Sequence, residues 1–535
     1  MRKAFWITSF LLVNAIAHAQ LSADSVQRID QLFTRWNNAT PGGVITVERN
    51  GKVIYSKAFG LADLEHNVPN TTSSIFECGS VSKQFTAAAV LLLAQEGRLS
   101  LDDDIRKYIP ELPVYQAPIT LRQCMNHTSG LKDWGSIGAL SGWPRTTRVY
   151  TLDLALQILC RQQSINFRPG TEYSYSNAGY TVLVIIVERV TKQSLAEFTR
   201  TRLFEPAGMK NTQWRDNFRK ILPNRSVAYR KTGGGYEQEM PFENIHGHGG
   251  LLTTTEDLIA WNHQLSNPTI GGESVLKMRT QQGKLSNGNS IAYSGGINVQ
   301  KFNGYREITH TGATAGYRAV LSYYPEKKLS IAMLSNDGSF NPGGCNNQVA
   351  EIFLGKPATA PAPSKFVTAS NDQLKRYDGI YRSVRNFDVI NLKYDNGRVL
   401  TNEKVLNVIH PDTLYLDRLY WIFKKPGQVL VKSAGDTNTY VRVNPPVTDP
   451  ASLKSFLGSY RSAEADATFM VELRGSELWL NNPPHGAYKL TPSFRDGFRS
   501  DDMDLYEFKR DKKGAVQRLE VSTGRAERIV FVKTN

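Results

Sequence analysis

Apolar and polar residues alternate through "GGVITVERNGKVIYSKAFG" (42–60), with Asn50-Gly51 at the centre. Alternation sends successive side chains to opposite faces of a strand, and Asn-Gly accepts the positive φ angles of a tight turn. The stretch therefore predicts an antiparallel hairpin that opens a sheet. The period then changes. Phe85 to Gln95 has helical spacing and stops at Gly97, Leu152 to Leu159 has it again, and Tyr180 to Val190 is apolar nearly all round, as a buried helix is. From Ile308 to Met333 strand character returns, with a turn at Pro325–Lys328. Strands thus bracket a helical middle. That order predicts one sheet whose first and last strands come from opposite ends of a domain, with a cleft between the sheet and the helical insertion.

Composition shifts at "KPATAPAPS" (356–364), a Pro/Ala stretch poorly suited to any regular element. Beyond it, "LKRYDGIYRS" (374–383) and "LKSFLGSYRS" (453–462) repeat at an offset of 79 residues, each followed by short alternating runs and turn signals. Two copies of one small all-β, barrel-like module are expected. At 535 residues the chain is too long for a single core. The organisation read from it is a leader at 1–19, a main domain at 20–355, a linker at 356–370, and β modules at 371–446 and 447–535.

The leader rests on Met1-Arg2-Lys3, an apolar run from Ala4 to Ala17, and the small-x-small ending Ala17-His18-Ala19. The run is too short to span a bilayer and nothing downstream is longer, so a soluble, exported protein, periplasmic or secreted, is expected. Four cysteines (Cys78, Cys124, Cys160 and Cys345) are too few to frame so long a chain, and their pairing is not legible. The net charge of +15 is spread through all regions without a dense basic block, which argues against nucleic acid as a partner.

The chemistry concentrates in "FECGSVSKQFTAAAVLLLAQEG" (76–97). Three residues apart at a helix start, Ser80 and Lys83 lie on one face and can touch. A serine hydroxyl needs a neighbour to take its proton, and a lysine desolvated by the apolar run that follows has a lowered pKa suited to that task. The helix N-terminus adds free backbone N–H groups able to hold an oxyanion. Taken alone the pair is a weak signal, and the chain holds another, Ser274–Lys277, with no comparable apolar run after it; that one reads as surface helix.

Two further motifs raise its weight: Tyr175-Ser176-Asn177 in "PGTEYSYSNAGY" and His310-Thr311-Gly312 in "HTGATAGY". In this order the three resemble the signatures of the serine β-lactamase and penicillin-recognising superfamily, in the branch of class C β-lactamases, D-alanyl-D-alanine carboxypeptidases, D-aminopeptidases and related esterases. Flanking stretches such as "ITLRQCMNHTSGL" (119–131) and "GGLLTTTEDLIAW" (249–261) are similar too, and the likeness covers roughly residues 40–340. It implies an α/β (α+β) fold, an antiparallel sheet flanked by helices with a helical subdomain. It also implies an exported serine hydrolase without metal or cofactor, acting through an acyl-enzyme on small peptide, β-lactam or ester substrates.

Carried over by that resemblance, Ser80 is the nucleophile and Lys83 its activator, while Tyr175 relays protons to the leaving group. Asn177 binds the substrate amide, the strand Thr311-Gly312-Ala313 lines the substrate, and the N–H groups of Ser80 and Ala313 form the oxyanion hole. His310 stands where β-lactamases carry lysine. A largely neutral imidazole offers little fixed charge to a substrate carboxylate, which favours amide bonds of D-amino-acid-containing peptides over antibiotics. A carboxylesterase, a class C-like β-lactamase and a penicillin-binding sensor without turnover remain alternatives. Two decoys are set aside by context: Lys231-Thr232-Gly233 as a glycine-rich turn unable to form the required edge strand, and Tyr394-Asp395-Asn396 as the approach to an Asn396-Gly397 hairpin turn. His127, His246 and His248 lack the spacing of a metal site and read as structural. The loop "NNPPHGA" (481–487) is expected to reach the cleft.

Overall fold

The computed structural model describes residues 21–534 apart from 146, 357–365, 434–435, 485 and 503. The leader expected at 1–19, and most of the linker, lie outside the described residues. Seven antiparallel strands form the main sheet, in the order Tyr293–Ser294, Ile297–Phe302, Tyr305–Thr314, Tyr317–Tyr324, Leu329–Ser335, Gly43–Arg49, Lys52–Phe59. The hairpin at the start of the domain therefore pairs with a strand almost 300 residues away, Gly43 opposite Ser335 and Arg49 opposite Leu329. Asn50 and Gly51 take φ of 55° and 76° in its turn, as their side chains allow.

Strand alternation divides the apolar residues between two cores. Val320, Ile331 and Met333 face one side, with Ile29 and Phe33 at the N-terminal helix Ala23–Leu32 and Val349 from the helix Pro342–Leu354. Ala319, Leu321 and Leu334 face the other side, toward the helical insertion. There the expected helices run over Lys83–Gln95, Leu152–Cys160 and Asn177–Thr191, the last two started by side-chain caps from Thr151 and Ser176. The first is buried at every position from Lys83 to Leu93. Phe85, Val90, Leu91, Leu92 and Leu93 together contribute on the order of 10 kcal/mol of burial. That offsets the several kcal/mol it costs to enclose the lysine amine at the head of the same helix.

Downstream, Gly379 to Val443 and Gly458 to Thr534 each close into an eight-stranded barrel. The internal repeat has a physical basis. Tyr381 and Tyr460, 79 residues apart, are both buried, and each donates its hydroxyl hydrogen to a carbonyl four residues back, Tyr377 O at 3.1 Å and Phe456 O at 2.7 Å. The first barrel keeps its own apolar core, whereas that of the second is continuous with the core of the helical part. A buried ion pair, Lys132 with Glu464 at 3.3 Å, joins the second barrel to the main domain. The four cysteines are free, and no helix among the described residues is long and apolar enough to cross a membrane. Lys231 corrects an expectation: it lies in a strand, Tyr229–Thr232, paired with Gly235–Gln238 in an exposed two-stranded ribbon whose turn the glycines make.

Candidate active site

Ser80 sits in the 3-10 turn Gly79–Ser82, which runs directly into the helix that Lys83 begins. The Lys83 Nζ lies 3.1 Å from Ser80 Oγ, 2.9 Å from Asn177 Oδ1 and 2.6 Å from the His248 carbonyl oxygen, with no solvent exposure. Burial drives its pKa well below the ordinary lysine value, the charge of Arg525 adds to this, and Asp133 opposes it. Two of the three neighbours can only accept. In the neutral form that burial favours, the amine gives its two hydrogens to Asn177 and His248 and turns its lone pair to the Ser80 hydroxyl, which in the charged form accepts from it instead.

Asn177 opens the helix Asn177–Thr191, and its backbone N–H donates to Asp133 Oδ2 at 2.7 Å. Two residues earlier, the Tyr175 hydroxyl is buried with no hydrogen-bond partner among the described residues. Burial raises its pKa above the ordinary tyrosine value, with the charge of Arg525 pulling the other way, so the phenol keeps its proton. His127 packs its ring 4.1 Å from that of Tyr175 and accepts the Ser176 N–H on Nδ1, which fixes the proton on Nε2.

His310 lies buried on the strand Tyr305–Thr314. Its Nδ1 donates to the Thr311 carbonyl at 2.5 Å, so Nε2 accepts from the Tyr293 hydroxyl at 3.0 Å. Burial first, and Lys83 in its charged form second, lower its pKa to about 4, leaving the imidazole neutral at pH 7. The neighbouring strand Ile297–Phe302 pairs only as far as Thr309, so from His310 onward the edge is open and Thr311, Gly312 and Ala313 face the cleft. Gly312 is required here. A Cβ on it would stand 2.0 Å from the Cys78 carbonyl oxygen and 3.1 Å from Ser80 N, so only glycine lets the strand lie against the serine turn.

These elements enclose a cleft of about 770 Å³ lined by Ser80, Tyr175, Asn177, His310 and the strand 311–313. The structure thus gathers around one opening the residues that three separate motifs supplied; Lys83 lies just beneath. Lys231, Tyr394 and Ser274 are not among its lining residues. Several that are were not singled out by motif: Arg145, Tyr293, His248, Arg318 and Arg525. None carries a local pattern, and Arg525 reaches the cleft from the second barrel. The loop 481–487 does not: Pro483 and Pro484 seat against Gly142, and none of its described residues lines the cleft. The one group of possible metal ligands among the described residues, Asp63, Glu65 and His66, is largely exposed and lies outside the cleft lining.

The Beta-lactamase family profile matches residues 26–353. The chain belongs to the Beta-lactamase family, whose members are serine hydrolases. Within it, the chain is 28% identical over 363 residues to Penicillin-binding protein 4* of Bacillus subtilis (63% of this chain, 79% of the relative). It is 30% identical over 328 residues to the D-aminopeptidase of Brucella anthropi. That second match spans 60% of each chain, so the two proteins are comparable over little more than half their lengths. Among solved structures, the octameric penicillin-binding protein homologue from Pyrococcus abyssi shares the fold over 95% of this chain and 98% of its own, with a TM-score of 0.54 at 20% identity.

Proposed function

We propose that this Beta-lactamase family member is an exported serine hydrolase that forms an acyl-enzyme on Ser80 and cleaves amide bonds in peptides containing D-amino acids. The D-aminopeptidase among its relatives supports the substrate class. The leader-like residues 1–19 support export, and residues 20–355 would form the catalytic domain.

One observation carries the reading: an enclosed amine held by two obligate acceptors and lying 3.1 Å from Ser80 Oγ, whose neutral form, favoured by burial, has its lone pair left for that hydroxyl. In the first step the Ser80 oxygen bonds to the substrate carbonyl carbon while its proton passes to Lys83. The oxyanion so formed is held by the N–H groups of Ser80 and Ala313, which the Gly312 contact brings side by side. The C–N bond then breaks, and the leaving amine receives a proton through Tyr175, whose buried phenol is protonated at rest and replenished from Lys83. Water next attacks the ester, releasing the acid and returning the proton to Ser80. Asn177, whose oxygen is occupied by Lys83, has its amide nitrogen left for the substrate carbonyl.

Mass spectrometry after treatment with a fluorophosphonate tests this. The label is expected on Ser80, with Ser80→Ala abolishing both labelling and hydrolysis of D-alanine p-nitroanilide. Turnover surviving in Ser80→Ala would refute the reading.

A further inference from the structure

The cleft is lined by three arginines and by no aspartate or glutamate. They are not equivalent. Arg145 is committed to a buried carboxylate, its Nε donating to Glu243 at 2.9 Å. Arg318 donates one guanidinium nitrogen to the carbonyls of Ala315 and Tyr317. Arg525 is held by its backbone alone: its carbonyl accepts from the Asp133 N–H at 3.0 Å and from the Asn166 side chain at 3.2 Å. Its guanidinium has no hydrogen bond or ion pair among the described residues and stacks over the Tyr175 ring, 5.0 Å from the centroid. The carboxylate of Asp133 makes no ion pair with it among the described residues and is turned to the backbone N–H groups of Gly135, Ser136 and Asn177.

A fixed charge is placed where the strand beside it has none. His310 is neutral at working pH, so the strand edge offers a substrate anion only neutral groups. The turn that carries Arg525 is also well anchored. Thr523 N–H bonds the Ala526 carbonyl at 2.8 Å, Glu527 N–H bonds Asn166 Oδ1 at 2.9 Å, and Arg528 reaches the Asn166 carbonyl. An unpaired guanidinium on a pinned loop, beside the phenol assigned to the leaving group, suits a carboxylate whose two oxygens match its fork.

We propose that Arg525, supplied by the second barrel, binds a carboxylate on the leaving-group side of the substrate and is a specificity-determining residue of this active site. The inference rests on the acyl-enzyme reading of Ser80, and its test separates the two. The readout is protection of Ser80 from a fluorophosphonate by N-acetyl-D-alanyl-D-alanine and by the same dipeptide as its C-terminal carboxamide, which needs no turnover. In the full-length protein the acid is expected to protect at a concentration at least tenfold lower than the amide, and added salt should narrow the gap. Arg525→Gln should bring the two within about twofold, and Arg525→Lys, which keeps a charge but loses the fork, should fall between. Thermal melting confirms that each variant is folded, and Arg525→Lys decides the matter if Arg525→Gln is not. Equal protection by acid and amide in the unaltered protein, or an unchanged ratio in Arg525→Gln, would overturn the role of Arg525 while leaving Ser80 labelling intact. Labelling at a residue other than Ser80 would overturn the acyl-enzyme reading and this proposal with it.

Discussion

Lowering the pH from 7.5 to 4.5 should destabilise the protein through His310, by an amount its surroundings set. The imidazole is enclosed between the Thr311 carbonyl, the Tyr293 hydroxyl and the nearby Lys83, and burial above all holds its pKa at about 4. In the unfolded chain the ordinary histidine value of about 6.5 applies. At pH 7 both forms are neutral and the group contributes nothing to the pH dependence. As pH falls through 6.5 the unfolded chain takes up a proton that the folded protein refuses, and stability is lost until the folded pKa is reached near 4. Linkage converts the difference into a loss of about 2–3 kcal/mol at pH 4.5. His127, His246 and His248 are depressed by burial as well and steepen the total slope. The comparison is therefore with His310→Gln, which has no titrating group but can still donate and accept. Urea unfolding at the two pH values should show the variant losing about 2–3 kcal/mol less than the unaltered protein, and the His310 ring signals in NMR should stay in the neutral form down to pH 5. Equal losses in the two proteins, or a ring titrating near 6.5, would refute the claim that the site holds a neutral imidazole.

Gly312→Ala should slow acylation of Ser80 by about 100-fold, because a methyl group 2.0 Å from the Cys78 carbonyl oxygen must push the strand away from the serine turn. Stopped-flow labelling with a fluorophosphonate measures this, and a rate within threefold of the unaltered protein would contradict the contact. Glu464→Ala should destabilise the docked second barrel by about 3–5 kcal/mol, since it strands the enclosed Lys132 ammonium and frees the Gln163 N–H that Glu464 accepts at 2.7 Å. Denaturant unfolding followed by intrinsic fluorescence reads it, with no loss expected if the pair were solvated.

Local chemistry along the chain was enough for much of this protein. The Asn50-Gly51 turn, the alternation of the outer strands and the fully apolar run after Lys83 each specify their element, because turn conformation and hydrophobic period depend only on near neighbours. The Ser80–Lys83 contact was legible for the same reason, being one helical turn long. The paired tyrosines at 381 and 460 made the two barrels visible as a repeat. The pairing of Gly43 with Ser335 could be expected only in outline, since a register joins segments that share no sequence neighbourhood. Lys231 shows the limit of local rules: the glycines do make a turn, but Lys231 lies in the strand that leads into it, and its exclusion from the cleft is a fact of packing. Arg525 is the clearest case. No motif surrounds it, and its place over Tyr175 depends on a buried ion pair and a set of backbone hydrogen bonds between a barrel and a helical domain more than 300 residues apart. Only the closed tertiary structure brings that charge beside a strand edge whose cleft-facing residues, His310 to Thr314, carry none.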